Sequence, residues 1–131
     1  MNIGLIAHDT KKELMINFCI AYKNILSGHN LFATGSTGQL LRDNVELDVY
    51  MFLPGHLGGG RQMCSQVECN QMDAVIYLRD PVHVVGNEID AEKLFRACDL
   101  NNIPLATNLA SAELLVLAIG RGDLDWRNAY K

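Results

Sequence analysis

Short apolar runs alternate along the chain with longer stretches whose apolar residues recur at helical spacing. Asn2–Ala7, Asn30–Ala33, Val45–Leu53, Ala74–Leu78 and Ile103–Ala106 read as strands. They are nearly continuous rather than alternating, the pattern of strands covered on both faces of a parallel sheet. Between the first two, Leu14, Met15, Phe18, Cys19, Tyr22, Ile25 and Leu26 fall on one stripe of a helix. Thr10 and Glu13 have capping-box spacing at its start, and Gly28 is a stop signal at its end. Ala91, Leu94, Phe95 and Cys98 repeat the stripe, with a start marked by Asn87 or by Glu88-Ile89-Asp90. Ala110 to Ile119 forms another helix before Gly120, and Gly60–Gln71 a further one. With no repeat and no Pro/Gly/Ser linker, the pattern predicts one α/β domain over residues 1–131. It is a three-layer, doubly wound, five-stranded parallel sheet flanked by helices.

Composition narrows the class without changing that picture. The 131 residues are 49% hydrophobic, 20% charged and 7% aromatic, as in an ordinary packed globule. Eleven Lys and Arg against fifteen Asp and Glu give a net charge of −4, which argues against a nucleic-acid partner held by bulk charge. No window reaches the roughly 18 apolar residues of a membrane span, so no membrane partner is expected. Met1–Ala7 is apolar but lacks a basic leader and is cut short by His8-Asp9-Thr10-Lys11-Lys12, so a cytoplasmic protein is expected. The four cysteines, Cys19, Cys64, Cys69 and Cys98, form no Cys-x-x-Cys pair and read as small apolar residues of helices. Neither a metal site nor a disulfide framework is expected.

In open α/β sheets ligands gather beyond the carboxyl ends of the strands, where helix N-termini present unpaired N–H groups. The five strand ends carry His8-Asp9 with Lys12, then Thr34-Gly35-Ser36-Thr37-Gly38, Pro54-Gly55-His56 running to Arg61, Arg79-Asp80-Pro81-Val82-His83, and Thr107-Asn108. Three hydroxyls and two glycines in Thr34–Gly38 form a candidate anion cradle, to which Lys12 adds a full charge. A plain helix cap and turn fits Thr34–Gly38 equally well on its own. The glycines of 55–60 match neither Gly-x-x-x-x-Gly-Lys-Ser/Thr nor Gly-x-Gly-x-x-Gly, which speaks against nucleotide hydrolysis and dinucleotide binding. A phosphoacceptor receiver domain fails as well, because Pro54-Gly55 and Thr107-Asn108 stand where it needs an Asp and a Lys. His8, His56, His83, Asp9, Asp80 and Asp90 supply acid–base groups on these loops, and each has a structural reading of equal standing.

Taken together, Ile6-Ala7-His8-Asp9 with Lys12, Ala33-Thr34-Gly35-Ser36-Thr37-Gly38, Gly58-Gly59 followed by Gln62, Leu78-Arg79-Asp80-Pro81 and Ile103-Pro104-Leu105-Ala106-Thr107-Asn108 resemble the methylglyoxal synthase family over nearly the whole chain. The resemblance implies a homohexamer that converts dihydroxyacetone phosphate to methylglyoxal and inorganic phosphate with no metal or organic cofactor. It implies that Lys12, Thr34, Ser36, Thr37 and Gly55 hold the phosphate, with Gly35 in the same turn. His8 and Asp9 would line the reacting end. A C-terminal arginine of a neighbouring subunit, Arg121 or Arg127 in this chain, would reach the phosphate.

The same comparison exposes departures. The family's Gly-Gly-Asp-Gln-Gln, whose Asp removes the substrate proton, is Gly58-Gly59-Gly60-Arg61-Gln62 here. A His that the family places a few residues after Asp-Pro is Asn87, and an amide cannot carry a proton at neutral pH. Pro54 takes the place of a Ser, removing a hydroxyl and a backbone donor. Gly60 and Arg61 shift the local formal charge from −1 to +1, which favours holding an anion over transforming it. Asp9, Asp80, Glu88 and Asp90 are the carboxylates that could replace the missing base. The alternative function is a catalytically silent regulator or partner subunit that binds a phosphorylated ligand or inorganic phosphate.

Overall fold

The computed structural model describes residues 1–54, 57–83 and 91–131. Its five parallel strands are β1 (Asn2–Ala7), β2 (Asn30–Ala33), β3 (Val49–Met51), β4 (Ala74–Leu78) and β5 (Leu105–Ala106). They lie in the order β3-β2-β1-β4-β5. The helices are α1 (Lys12–Ala21), α2 (Lys23–Leu26), α3 (Gly35–Val45), α4 (Gly59–Glu68), α5 (Ala91–Asn101) and α6 (Leu109–Gly120). Short 3₁₀ segments cover Asp9–Lys11 and Asp125–Tyr130.

Two cores sandwich the sheet, and the pleat decides which residue enters which. Ile3, Leu5 and Ala7 of β1 and Ala74, Ile76 and Leu78 of β4 face Met15, Phe18 and Cys19 of α1, Leu41 of α3, and Val116 of α6. Ile6 of β1 and Val75 and Tyr77 of β4 point the other way, onto Met63 and Val67 of α4 and Leu94 and Cys98 of α5. The three layers expected from the apolar runs are therefore present.

Boundaries moved where local chemistry outweighed hydrophobicity. The run Val45–Leu53 shortens to Val49–Met51 because Val45 is the buried last residue of α3 and Glu46 caps it in the left-handed region at φ 58°. Ile103–Ala106 shortens to Leu105–Ala106: the N–H of Ile103 closes α5 on the carbonyl of Cys98, and Pro104 has no N–H to give a ladder. The first helix breaks at Tyr22, whose hydroxyl donates to Glu113 Oε2 at 2.8 Å and ties α1 to α6. The Thr10–Glu13 capping box does not form; His8 caps the 3₁₀ turn, its Nδ1 facing the Thr10 N–H at 3.1 Å. Cys19, Cys64 and Cys98 are buried and Cys69 exposed, and none of the four is in a disulfide. Burial pushes the Cys19 and Cys98 thiols up to about 12, so they behave as apolar side chains.

Candidate active site

Strand order reverses between β1 and β4, since β2 and β3 follow on one side and β5 on the other. Beyond the carboxyl ends of these two central strands lies the crevice where doubly wound sheets bind ligands. The His8 N–H donates to the carbonyl of Leu78 at 3.0 Å, carrying the β1–β4 pairing one residue past the strands. His8, Asp9 and Lys12 after β1 thus stand beside Arg79, Asp80 and His83 after β4. The turn Thr34–Thr37 lies on the other flank, after β2.

The Lys12 ammonium bridges two of these segments. It donates to the carbonyl of Ala7 at 2.9 Å and to Thr37 Oγ1 at 3.0 Å, and lies 3.6 Å from Asp9 Oδ1. Burial lowers its pKa, and the nearby Asp9 carboxylate opposes that shift. A partly desolvated cation fixed over the first turn of α3 is positioned to meet an anion. Thr34 is the N-cap of α3, yet its side chain makes no capping bond. Ser36 and Thr37, in the first turn, have amides with no acceptor four residues back. Thr34 and Thr37 are buried, Ser36 is exposed, and Gly35 is half-buried. A side chain at Gly35 would bring its Cβ within 3.1 Å of the Phe52 carbonyl oxygen and the Pro54 nitrogen, so only glycine lets this turn rest on the loop after β3.

That loop is folded back onto α4. The Pro54 carbonyl accepts from the N–H groups of Leu57 and Gly59, and Gln62 Oε1 accepts from the Leu53 N–H at 2.7 Å. Gly58 supplies the left-handed cap at φ 106°. Gly60 is buried in the first turn of α4 and brings no functional group, while Arg61 beside it is exposed. Gly55, His56, Asn87, Glu88 and Asp90 lie outside the described residues.

Asp80 is a carboxylate surrounded by donors. Its Oδ1 accepts from the N–H groups of Val82 (2.9 Å) and His83 (3.1 Å), and its Oδ2 from Thr10 Oγ1 (2.7 Å) and His83 Nδ1 (2.9 Å). The Thr10 hydroxyl and then the His83 ring hold its pKa far below the usual carboxylate range against the opposing effect of burial, and the two amides add to the lowering. A carboxylate so satisfied orients its neighbours well and accepts a substrate proton poorly. The other face of Thr10 Oγ1 lies 2.9 Å from Nδ1 of the buried His8. The chain His8–Thr10–Asp80–His83 was not apparent from sequence, where Thr10 reads as a helix cap. Its one signal is Asp80 three residues before His83, the spacing of an Asx turn that returns the ring to the carboxylate.

Of the two C-terminal arginines left open by the sequence, Arg127 is tied to its own chain. Far from offering itself to a neighbour's phosphate, it is buried on its own chain, donating to Asn102 O (2.7 Å), Asn70 Oδ1 (2.7 Å), Asn101 O, Met72 O and Asp73 Oδ1 (3.4 Å). Arg121 is exposed and pairs with Asp123 at 2.9 Å. Arg79 lays its guanidinium over the Phe95 ring, 5.1 Å from the centroid.

The family model described as the MGS-like domain matches residues 14–107, most of the chain. Methylglyoxal synthase of Caldicellulosiruptor saccharolyticus is 58% identical over 127 residues, covering 97% of this chain and 90% of that relative. The chain belongs to the methylglyoxal synthase family. The methylglyoxal synthase of Thermoanaerobacterium thermosaccharolyticum is 51% identical over 131 residues, covering 100% of this chain and 98% of its own. Among solved structures, the crystal structure of methylglyoxal synthase from Elizabethkingia anophelis superposes with a TM-score of 0.83 at 33% identity, covering 88% of this chain and 76% of that one. Among the described residues no group of three or more His, Cys, Asp or Glu could hold a metal ion, and no helix is long and apolar enough to cross a membrane.

Proposed function

We propose that the chain binds dihydroxyacetone phosphate and eliminates its phosphate to give methylglyoxal, as a methylglyoxal synthase slowed by the loss of its usual base. The observation that carries this reading is the Lys12 ammonium held on Thr37 over the uncapped first turn of α3, in a chain of this family. The dianionic phosphate would take the place of a capping side chain, bonded to Lys12, to the hydroxyls of Thr34, Ser36 and Thr37, and to the amides of the turn, with Gly35 and Gly55 allowing close approach.

The reacting carbons would then extend toward His8, Asp9 and Asp80. Removal of a proton from the carbon bearing the free hydroxyl leaves an enediolate, whose electron pair expels phosphate from the other carbon. The enol that remains takes a proton to become methylglyoxal. An imidazole at His8 suits the hydrogen-bonding of the enediolate oxygens. Asp9, exposed and beside Lys12, is free to approach a substrate in a way that Asp80 is not. Asp90 remains a second candidate base. We also carry the homohexamer into the proposal; light scattering would then give six times the 14.5 kDa chain mass.

A second reading is favoured by Gly60 and by the saturation of Asp80: a phospho-ligand-binding regulator without turnover. One assay separates the two. Phosphate release and methylglyoxal formation are measured for wild type, Gly60→Asp, and Gly60→Asp with Asn87→His. Slow turnover in the wild type that rises by about 10²–10⁴ as the base is restored supports the enzyme, with the two changes not simply additive. No product from the wild type or either variant, with phosphate still bound, supports the regulator.

A further inference from the structure

Of the described side chains just beyond β1 and β4, His8, Asp9, Asp80 and His83 are those that can take up a proton near neutral pH, and their bonds sort them. Asp80 is ionised and already accepts from Thr10 Oγ1, His83 Nδ1 and two amides. His8 spends its bare Nδ1 on the Thr10 N–H at 3.1 Å, so the neutral ring carries its proton on Nε2 and has no second nitrogen to protonate. Asp9 is paired with the Lys12 ammonium at 3.6 Å. His83 differs from all three. Its Nδ1 lies 2.9 Å from Asp80 Oδ2, and an ionised oxygen only accepts, so Nδ1 carries the ring proton and Nε2 is the basic nitrogen. The His83 side chain is 70% exposed and that of Asp80 10%, so the ring stands out into the crevice on a nearly buried anchor.

We propose that His83 is the catalytic base of the elimination, taking the substrate proton on Nε2, with Asp80 as the positioning residue that fixes the ring's tautomer and pairs with the imidazolium formed. The inference deepens the enzymatic reading and rests on it. A phosphate at Lys12 and Thr37 lies on the β2 side of β1, and a three-carbon chain running from it across β1 heads for the end of β4, where His83 stands. Thr10 grips the same Asp80 oxygen at 2.7 Å from the β1 side, so the anchor is held from both strand ends. Imidazole is the side chain whose ordinary pKa lies nearest neutrality, where a general base works best. In the step itself the C–H bond at the hydroxyl-bearing carbon breaks, its proton goes to Nε2, and its electron pair forms the enediolate double bond. That pair then leaves with the phosphate from the other carbon.

The test follows dihydroxyacetone phosphate in D₂O with wild type, His83→Gln and His83→Ala. C–H cleavage is read as deuterium entering the remaining substrate plus methylglyoxal formed, and elimination as phosphate released. His83→Gln should slow C–H cleavage about 10²-fold or more, and added imidazole should recover part of it in His83→Ala, since an exposed ring leaves room for a free one. A lost turn would not answer to imidazole. The rise in melting temperature with inorganic phosphate should be the same in all three proteins. Cleavage in His83→Gln at the wild-type rate, or a loss in His83→Ala that imidazole leaves untouched, overturns the assignment while the enzymatic reading stands. Deuterium exchange that depends on His83 without phosphate release sinks the elimination and keeps His83 as the base. Neither exchange nor product in the wild type overturns both.

Discussion

Two helices begin at the same end of the sheet, beyond the carboxyl ends of its strands, and finish their N-termini in opposite ways. At α6, Asn108 Oδ1 accepts from the Ser111 N–H at 3.0 Å and the Ser111 hydroxyl faces back to Asn108, a complete capping box. At α3, Thr34 makes no capping bond, and the Thr37 hydroxyl is engaged by Lys12 from another segment. The residues at the two starts are of the same polar kind, so composition does not separate them. What separates them is whether the helix caps itself with its own side chains or leaves its N-cap without a side-chain bond and a hydroxyl of its first turn to a lysine from another segment. The first arrangement stabilises the fold; the second, on the proposed function, is where a phosphate would sit.

The opposite end of the sheet, at the amino ends of its strands, gives the sharpest contrast. Asp73 is fully buried there, bonded to Arg127, to Lys131 Nζ (2.7 Å) and to the Asn2 N–H (2.7 Å), so its charge is spent inside the chain. Arg127→Leu leaves that carboxylate short of a partner and should cost about 3–5 kcal/mol of stability by denaturant unfolding. It should leave the increment in melting temperature on adding phosphate unchanged. Lys12→Met should do the reverse. Phosphate affinity should fall about tenfold to a hundredfold, as expected for a lost hydrogen bond to a charged group, with little change in ligand-free stability. Asn108→Ala should cost about 1 kcal/mol, whereas Thr34→Ala should cost only a few tenths because no cap is lost. Equal costs at the two positions would erase the distinction between them.

Acid sharpens the same contrast. Burial raises the Asp73 pKa, but the bonds from Lys131, Asn2 and Arg127 outweigh it and hold the group below its ordinary value. A depressed carboxyl pKa contributes stability that is complete above the unfolded-state value near 3.9 and is lost as the pH falls through the lower folded-state value. Thermal unfolding across pH 2–5 should show that loss in the wild type, and Asp73→Asn should flatten the curve in this window.

The sheet was legible in the sequence because its strands are unbroken apolar runs and the helices carry clear stripes. β1, β2 and β4 keep the boundaries those runs imply. β3 and β5 do not, since Val45 serves a helix end as readily as a strand and Pro104 is apolar without being able to pair. At the site, the pairing of Lys12 with the turn after β2 could be anticipated because both follow strand ends. The partners of Asp80 could not: Thr10 is 70 residues away in sequence, and only the register of β1 against β4 brings them together. The choice between Arg121 and Arg127 stayed open for a related reason, since a basic residue near a chain end gives no sign of the buried Asp73 and the carbonyls of Asn101, Asn102 and Met72 that hold Arg127.

The central claim is that the Lys12–Thr37 edge grips a small phosphorylated molecule. Thermal unfolding of wild type and Lys12→Met is followed as inorganic phosphate or dihydroxyacetone phosphate is added. The wild-type melting temperature should climb with ligand concentration, as mass action requires of a folded-state binder, and that of Lys12→Met should begin to climb only at about ten to a hundred times the ligand concentration. A wild-type curve that ignores both ligands, or a Lys12→Met curve that rises equally, would contradict it.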